Sequence, residues 1–366
     1  MNGNTDNRRL DVVQFGAKGD GQTDDTAAFR AALAAAAKIQ GTVFVPDGVY
    51  LCGELQLPPH TGLVGNPSWA YRTIGGSILK LNDPTAASLL NITGAAGATI
   101  NGLSLEGEQL GQNIHGIYMG PFEGKVEEDT PRIERCHISG FTGDGVRFDP
   151  VWCFSIRGCE VIYNGGNGLY VKGWDGFILD NWFSGNGGAG YCCDGPNASI
   201  TMTGNRIEWN KNGGIRILGG SHYNITGNYI DRSGGPGISL RPNDGTPSLC
   251  FTITGNVIYR SGKPDWTSND PYESAHVRLE GCHGIVFSGN SMCVGQDDGG
   301  GVNSPEYGLV LRKLKNSIVK DNALHIGAMT RVIADLGEHE DGVIIKDNVG
   351  SLYTDREKAI WASDQR

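Results

Sequence analysis

An asparagine that ends a short apolar run recurs along this chain at nearly regular intervals. It stands in Asp180-Asn181, Gly204-Asn205, Gly227-Asn228, Gly255-Asn256, Gly289-Asn290, Asp321-Asn322 and Asp347-Asn348, at steps of 24, 23, 28, 34, 32 and 26 residues. Cys136 and Cys159, 23 residues apart, hold the same slot earlier in the chain. A unit of this length cannot bury its own apolar side, whereas stacked copies can. The repeat therefore predicts a solenoid, and it says which residues are neighbours in space. In each unit two short strands surround the asparagine and a third follows a Gly-rich turn, as in Gly214-Ile215-Arg216-Ile217. Side chains alternate along a strand, so Phe183, Ile207, Ile230, Ile258, Met292 and Leu324 align as one inward apolar column. The asparagines themselves are expected to form a structural ladder at the bend, bonding backbone and tolerating left-handed geometry.

Composition agrees with many tight turns. Glycine, 57 of 366 residues, is at roughly double its usual share, while proline at 15 is ordinary. An apolar content of 39% argues against a low-complexity chain. The net charge of −10 argues against a nucleic-acid partner, which calls for a basic face; it leaves room for an anionic glycan in a local basic groove. Nine cysteines without a CxxC pair read as small buried side chains rather than zinc ligands. No apolar run approaches the roughly 18 residues of a membrane span, so no membrane partner is expected. The first residues lack an apolar leader segment, which makes the expected location cytoplasmic, or secreted with the signal removed.

The N-terminal region reads strand, loop, helix, strand. Val12 to Phe15 is a short apolar run. Thr23 or Asp24 is a good N-cap for a helix from Ala27 to Lys38, with Phe29 and Leu33 on one face, and Gly41 to Tyr50 returns to strand. A helix over the first coil would close the exposed end of a solenoid. The stretches VVQFGAKGDGQTDDTAAFRAALAAA and GTVFVPDGVYL resemble the N-terminal signature of the pectate-lyase-like superfamily, shared by polygalacturonase-type hydrolases, alginate epimerase modules and phage tailspikes. The resemblance implies an all-β fold, a single-stranded right-handed parallel β-helix of about ten coils with an N-terminal capping α-helix. The expected layout is one domain over 1–366, with 10–50 as cap and first coil, 51–350 as coils and 351–366 as a C-terminal tail. It also implies action on polysaccharides and, by analogy with several members, a homotrimer.

The residue after each inward position points outward. That column reads Ser139, Ile162, Ser184, Glu208, Asp231, Tyr259, Cys293, His325. Neighbouring strands lie about 4.8 Å apart, so Glu208 and Asp231 are expected as stacked, solvent-facing carboxylates, one with a raised pKa. An acid beside an ionised carboxylate is the equipment of glycosidic cleavage, and these two are the candidate catalytic pair. Trp182, Arg206 and Tyr229 occupy the other outward column, with Trp209, Tyr259, Arg232 and Arg260 nearby; all are candidates to stack on sugar rings or hold their hydroxyls and carboxylates. Arg216, Arg241, Arg278 and Arg312, after the Gly-rich turn, form either a basic track for an anionic polysaccharide or, with Asp194, Glu280 and Asp335, a salt-bridged face. Two adjacent insertions, Gly262 to Ser274 and Gly295 to Tyr307, are expected to form a wall on one side.

Motifs of particular superfamily members are incomplete. Asp297-Asp298 resembles one element of the polygalacturonase set, but a Gly-His-Gly and an Arg-Ile-Lys are missing. Phe148-Asp149-Pro150 resembles part of the alginate epimerase segment, without its tyrosine and histidine. The late, elongated coils are faintly similar to inulin fructotransferases, trimeric β-helices that release a cyclic difructose. The expected function is therefore cleavage of glycosidic bonds in a poly- or oligosaccharide. The alternatives are a lyase or fructotransferase-like transglycosylase, and a non-catalytic tailspike-like glycan-binding protein. No cofactor is implied. Asp265, Asp270, Asp297 and Asp298 are oxygen donors suited to calcium, but they lack a specific spacing, so no metal is expected.

Overall fold

The computed structural model describes residues 8–124, 127–263, 269–295 and 305–354. The chain falls into two compact units, the first ending at Phe177 and the second beginning at Ile178. Both are built from short strands paired in parallel with the equivalent strand of the next coil, the arrangement of a right-handed parallel β-helix.

In the first unit the helix spans Thr26–Ile39 and buries Phe29, Ala32, Leu33 and Ala36. The Phe29 ring meets Tyr50 edge-on at 5.4 Å between centroids. The N-cap is Asp25 rather than Thr23 or Asp24, and its carboxylate does not cap the helix. It is 1% exposed and accepts instead from the Lys18 and Gly19 amides at 2.7 and 3.1 Å, which pins the Gly-rich loop. Asp24 supplies the local bond, accepting from the Thr26 amide at 3.0 Å. Val12–Phe15, expected as a strand, is a 3-10 turn, because the Asp11 side chain caps it by accepting from the Val13 amide; the strand lies just before it, at Arg9–Asp11. Gly48–Cys52, Ser77–Leu81, Ser104–Glu106, His137–Ser139 and Glu160–Ile162 then stack in register on one face.

In the second unit Trp182–Ser184, Arg206–Glu208, Tyr229–Asp231, Val257–Tyr259, Ser291–Cys293 and Ala323–Ala328 stack in the same way. Phe183, Ile207, Ile230, Ile258, Met292 and Leu324 are cross-strand partners, each at most 1% exposed. The asparagine ladder is continuous. The Asn181, Asn205, Asn228, Asn256 and Asn290 amides each donate at 3.0 Å to the side-chain oxygen of the next asparagine. Each Nδ2 reaches that same oxygen at 2.9 or 3.0 Å. Left-handed geometry falls one residue earlier than expected. The asparagine has to point inward along the stack, so the turn is made by the residue before it: Asp180, Gly204, Gly227, Gly255, Gly289, Asp321 and Asp347 all have φ between 56° and 69°. The Cys136 amide likewise donates to the Cys159 sulfur at 3.5 Å, so a thiol stands where later coils have an amide oxygen.

The wall expected from the two insertions falls largely on 264–268 and 296–304, outside the described residues, as do Asp265, Asp297 and Asp298. Asp270 is described; it caps the turn Pro271–Glu273 and pairs with Arg278 at 2.7 Å.

Candidate active site

Glu208 and Asp231 are cross-strand partners, as the repeat implies. They do not face solvent: Glu208 is 4% and Asp231 1% exposed. The cause is a layer of arginines and aromatics folded over them. The Glu208 carboxylate accepts from Trp182 Nε1 at 2.9 Å and Arg206 Nε at 2.8 Å. Arg206 lies over the rings of Trp182 and Tyr229, 5.3 and 4.8 Å from their centroids. Asp231 is ion-paired to Arg232 and has Arg260 Nε at 3.6 Å. Trp209, Arg232 and Arg260 sit in the turns after their strands with φ of 60°, 50° and 48°, which turns their side chains back over the sheet. Arg232 then covers Trp209 at 4.7 Å and Arg260 covers Tyr259 at 4.1 Å. Arg260 is wholly buried, whereas the Arg206 side chain keeps 45% exposure.

The arginines after the Gly-rich turn belong to a salt-bridged face. Arg241 pairs with Glu273 at 3.0 Å; Arg278 pairs with Asp270 and Glu273 at 2.7 Å and with Glu280 at 2.6 Å; Arg312 pairs with Glu280 at 3.5 Å and with Glu338. Arg216 lies half-buried on the strand Ile215–Leu218.

A different constellation, in the first unit, has the properties of a reaction site. Outward columns on Ser104–Glu106, His137–Ser139 and Glu160–Ile162 place His137 beside Glu160 and Ser139 beside Glu106, while Leu105, Ile138 and Val161 fill the interior. The Ser139 hydroxyl donates to Glu106 at 3.1 Å and lies 3.4 Å from His137 Nδ1. His137 Nε2 is 3.9 Å from a Glu160 oxygen, and both of these buried atoms lack a hydrogen-bond partner among the described residues. The segment from Asn66 to Gly76, tied by short bridges between Pro67 and Gly76 and between Ala70 and Thr73, brings Trp69 to 5.8 Å from the His137 ring. Tyr71 and Tyr163 meet edge-on at 6.1 Å. Together they leave a groove of about 550 Å³ whose lining includes Tyr71, Arg72, Glu106, His137, Ser139 and Tyr163.

Burial sets the protonation of this group. It pushes His137 down to about 4, so the imidazole is neutral at ordinary pH. It raises Glu160, and it raises Glu106 against the opposing bond from Ser139, with the nearby Glu108 charge adding to the rise. A neutral imidazole and a carboxyl that holds its proton longer than usual, His137 and Glu106, can accept and donate protons on one groove wall, with Glu160 buried beside His137. The column read upward from Tyr229, Arg206 and Trp182 has Glu160 and His137 in the preceding slots, one residue after Cys159 and Cys136. The repeat alone thus marks both positions.

The chain belongs to the right handed beta helix region family, which matches residues 115–349. It is 30% identical over 201 residues to alginate lyase 7 of Azotobacter vinelandii, a span of 48% of this chain and 22% of that protein. It is 24% identical over 247 residues to the capsule-specific depolymerase 1 of Klebsiella phage K5-2, covering 62% of this chain and 30% of the other. The chain thus spans less than a third of the length of these two curated relatives. Among solved structures it is similar to the Dettilon tailspike protein, with a TM-score of 0.66 at 15% identity over 94% of this chain and 68% of that one. It is also similar to DFA-IIIase from Arthrobacter chlorophenolicus A6, with a TM-score of 0.64 at 14% identity over 98% and 97%. Likeness at these identities concerns the fold.

Proposed function

We propose that this chain is an enzyme that cleaves glycosidic bonds in a polysaccharide, with proton transfer at Glu106, His137 and Glu160. The observation that carries this is the open, aromatic-flanked groove lined by His137 and Glu106, with Glu160 buried beside His137 and one polar atom of each of that pair lacking a hydrogen-bond partner among the described residues. Breaking a glycosidic bond takes one group to protonate the leaving oxygen and another to activate water or remove a carbon-bound proton. Glu160 and Glu106, with raised pKa values, suit the acid; neutral His137 suits the base. Tyr71 and Tyr163 offer flat apolar area with polar tips for sugar rings. The kinship with an alginate lyase and a capsule depolymerase supports a polymeric carbohydrate as substrate.

Glu208 and Asp231 take a positioning role in this reading. Acids closed off beneath Arg206, Arg232 and Arg260 hold those cations against Trp182, Tyr229, Trp209 and Tyr259.

A second reading, elimination within a uronate chain, is favoured by Arg72 in the groove lining, a cation suited to the substrate carboxylate. Product analysis separates the two, since elimination leaves an ultraviolet-absorbing unsaturated uronate and hydrolysis adds water. The test of both is a panel of acidic and neutral polysaccharides incubated with the wild-type chain and with His137→Ala. Chain cleavage that falls about a hundredfold or more in the variant is expected for the loss of a proton-transfer group; equal cleavage by the two overturns the assignment.

A further inference from the structure

A second concave surface lies in the first unit, on the long strands Val146–Arg157 and Leu169–Leu179. Large aromatics are exposed there: Trp152 by 40%, Trp174 by 42% and Phe177 by 54%. Single exposed apolar side chains are ordinary on a protein surface, but three within two adjoining strands form a patch. A cavity of about 320 Å³ is lined in part by Arg132, Cys153, Phe154, Ser155, Asp175 and Phe177; Trp152 adjoins it through Cys153 and through its bond to Asp175.

The patch is built rather than incidental. Trp152 is anchored at both ends. Its amide donates to the Asp129 carboxylate at 2.7 Å, its carbonyl accepts from the Asp129 and Thr130 amides at 3.1 and 3.2 Å, and its indole N–H donates to Asp175 at 2.9 Å. Cys153 and Asp175 have φ of 56° and 59°, so both strands kink beside the cavity and re-aim the side chains that follow. A Cβ on Gly173 would come within 2.0 Å of the Val151 carbonyl, so the strands approach closely just before the two tryptophans. Arg132, exposed on the rim, has no ion-pair partner among the described residues. Fixed aromatic faces beside a guanidinium, a carboxylate and a hydroxyl match a molecule with flat C–H faces and a ring of oxygens. That combination describes a sugar ring better than an apolar peptide or a lipid.

We propose that Trp152, Phe177, Arg132 and Asp175 form a glycan-binding subsite, separate from the groove at His137, that holds a pyranose ring of a carbohydrate chain without acting on it. The choice of a glycan as occupant rests on the polysaccharide-processing reading. The aromatic faces take the ring, while Arg132 and the remaining Asp175 oxygen take its oxygens.

The test is calorimetric titration of the full chain with a mannuronate hexamer and with a neutral glucan hexamer, using wild type, Trp152→Ala, Phe177→Ala, Trp152→Phe and His137→Ala. Loss of one such anchor is expected to weaken binding of the recognised hexamer about tenfold. Trp152→Phe is expected to retain most of the affinity, and His137→Ala all of it at this site. Both anchors are partly exposed, so unchanged thermal unfolding of the alanine variants is expected and excludes misfolding. Binding of neither hexamer, or binding that survives both alanine substitutions, overturns the proposal. So does a finding by sedimentation that the two substitutions only dissolve a self-association. Cleavage that fails to depend on His137 while binding still depends on Trp152 refutes the catalytic assignment and leaves this subsite standing.

Discussion

Burial moves the pKa values of the two residue types at the groove in opposite directions, and both results suit the proposed proton transfer. Removing an imidazole from water penalises its charged form, and removing a carboxyl does the same; His137 is therefore neutral and Glu160 is protonated over a wider range than usual. The acid limb of kcat/KM should accordingly fall near pH 4 rather than near the ordinary histidine value of about 6.5; a limb centred at 6.5 would mean that His137 is not the base. A second residue-scale expectation concerns the turn before each ladder asparagine. Gly227 has φ of 66° and open space around a built Cβ, so only backbone strain opposes substitution there. Gly227→Ala should cost roughly 1 kcal/mol, and Gly227→Asp less, because Asp180, Asp321 and Asp347 hold the same geometry. Urea unfolding of the two variants measures both.

At the scale of strands and ladders, interior positions were legible in the sequence and exterior burial was not. The column from Phe183 to Leu324 follows from repeat length and the two-residue period alone, and so does the pairing of Glu208 with Asp231. Their burial depends on Trp209, Arg232 and Arg260 adopting left-handed turns and folding back, which no periodicity reports. The groove depends on the segment from Asn66 to Gly76, which lies outside the repeat and brings Trp69 to His137. Asn228→Ala, in mid-ladder, removes a buried amide that bonds three neighbours and should cost about 1–3 kcal/mol in urea unfolding. Glu208→Gln should leave kcat within about threefold, since its part is to hold Arg206; a loss of a hundredfold or more in kcat would return Glu208 to the catalytic role. His276 offers a pH test. It is wholly buried in the slot that Gly237 and Gly308 hold in adjacent coils, with neither ring nitrogen bonded among the described residues. Burial pulls it down to about 3. Between about 6.5 and that value the unfolded chain carries a proton that the folded chain lacks, so acidification favours unfolding. Glu106 and Glu160, raised in the folded state, act in the opposite sense. His276→Ala should therefore lose less stability than wild type between pH 6.5 and 4.5, read as the difference in Tm at the two values.

For the molecule as a whole, the N-terminal signature and the asparagine spacing together identify the fold, because both are constraints of the solenoid itself. They say little about the reaction, since the signature lies in the cap and the ladder lies in the core. In the proposed reading the chemistry is carried by a few outward positions that differ from coil to coil, and a repeat constrains those least. A net charge of −10 is compatible with a carbohydrate partner, since recognition depends on local groups such as Arg72 in the groove lining rather than on the overall balance. The central question is whether the groove at His137 does the chemistry. The most direct measurement is the rate of chain shortening on an accepted polysaccharide for wild type, His137→Ala, Glu160→Gln and Glu208→Gln, followed by mass spectrometry of the products. A collapse in the first two variants with near-normal turnover in the third is the expected result. Cleavage that persists without His137 and Glu160, or that disappears only with Glu208, contradicts it.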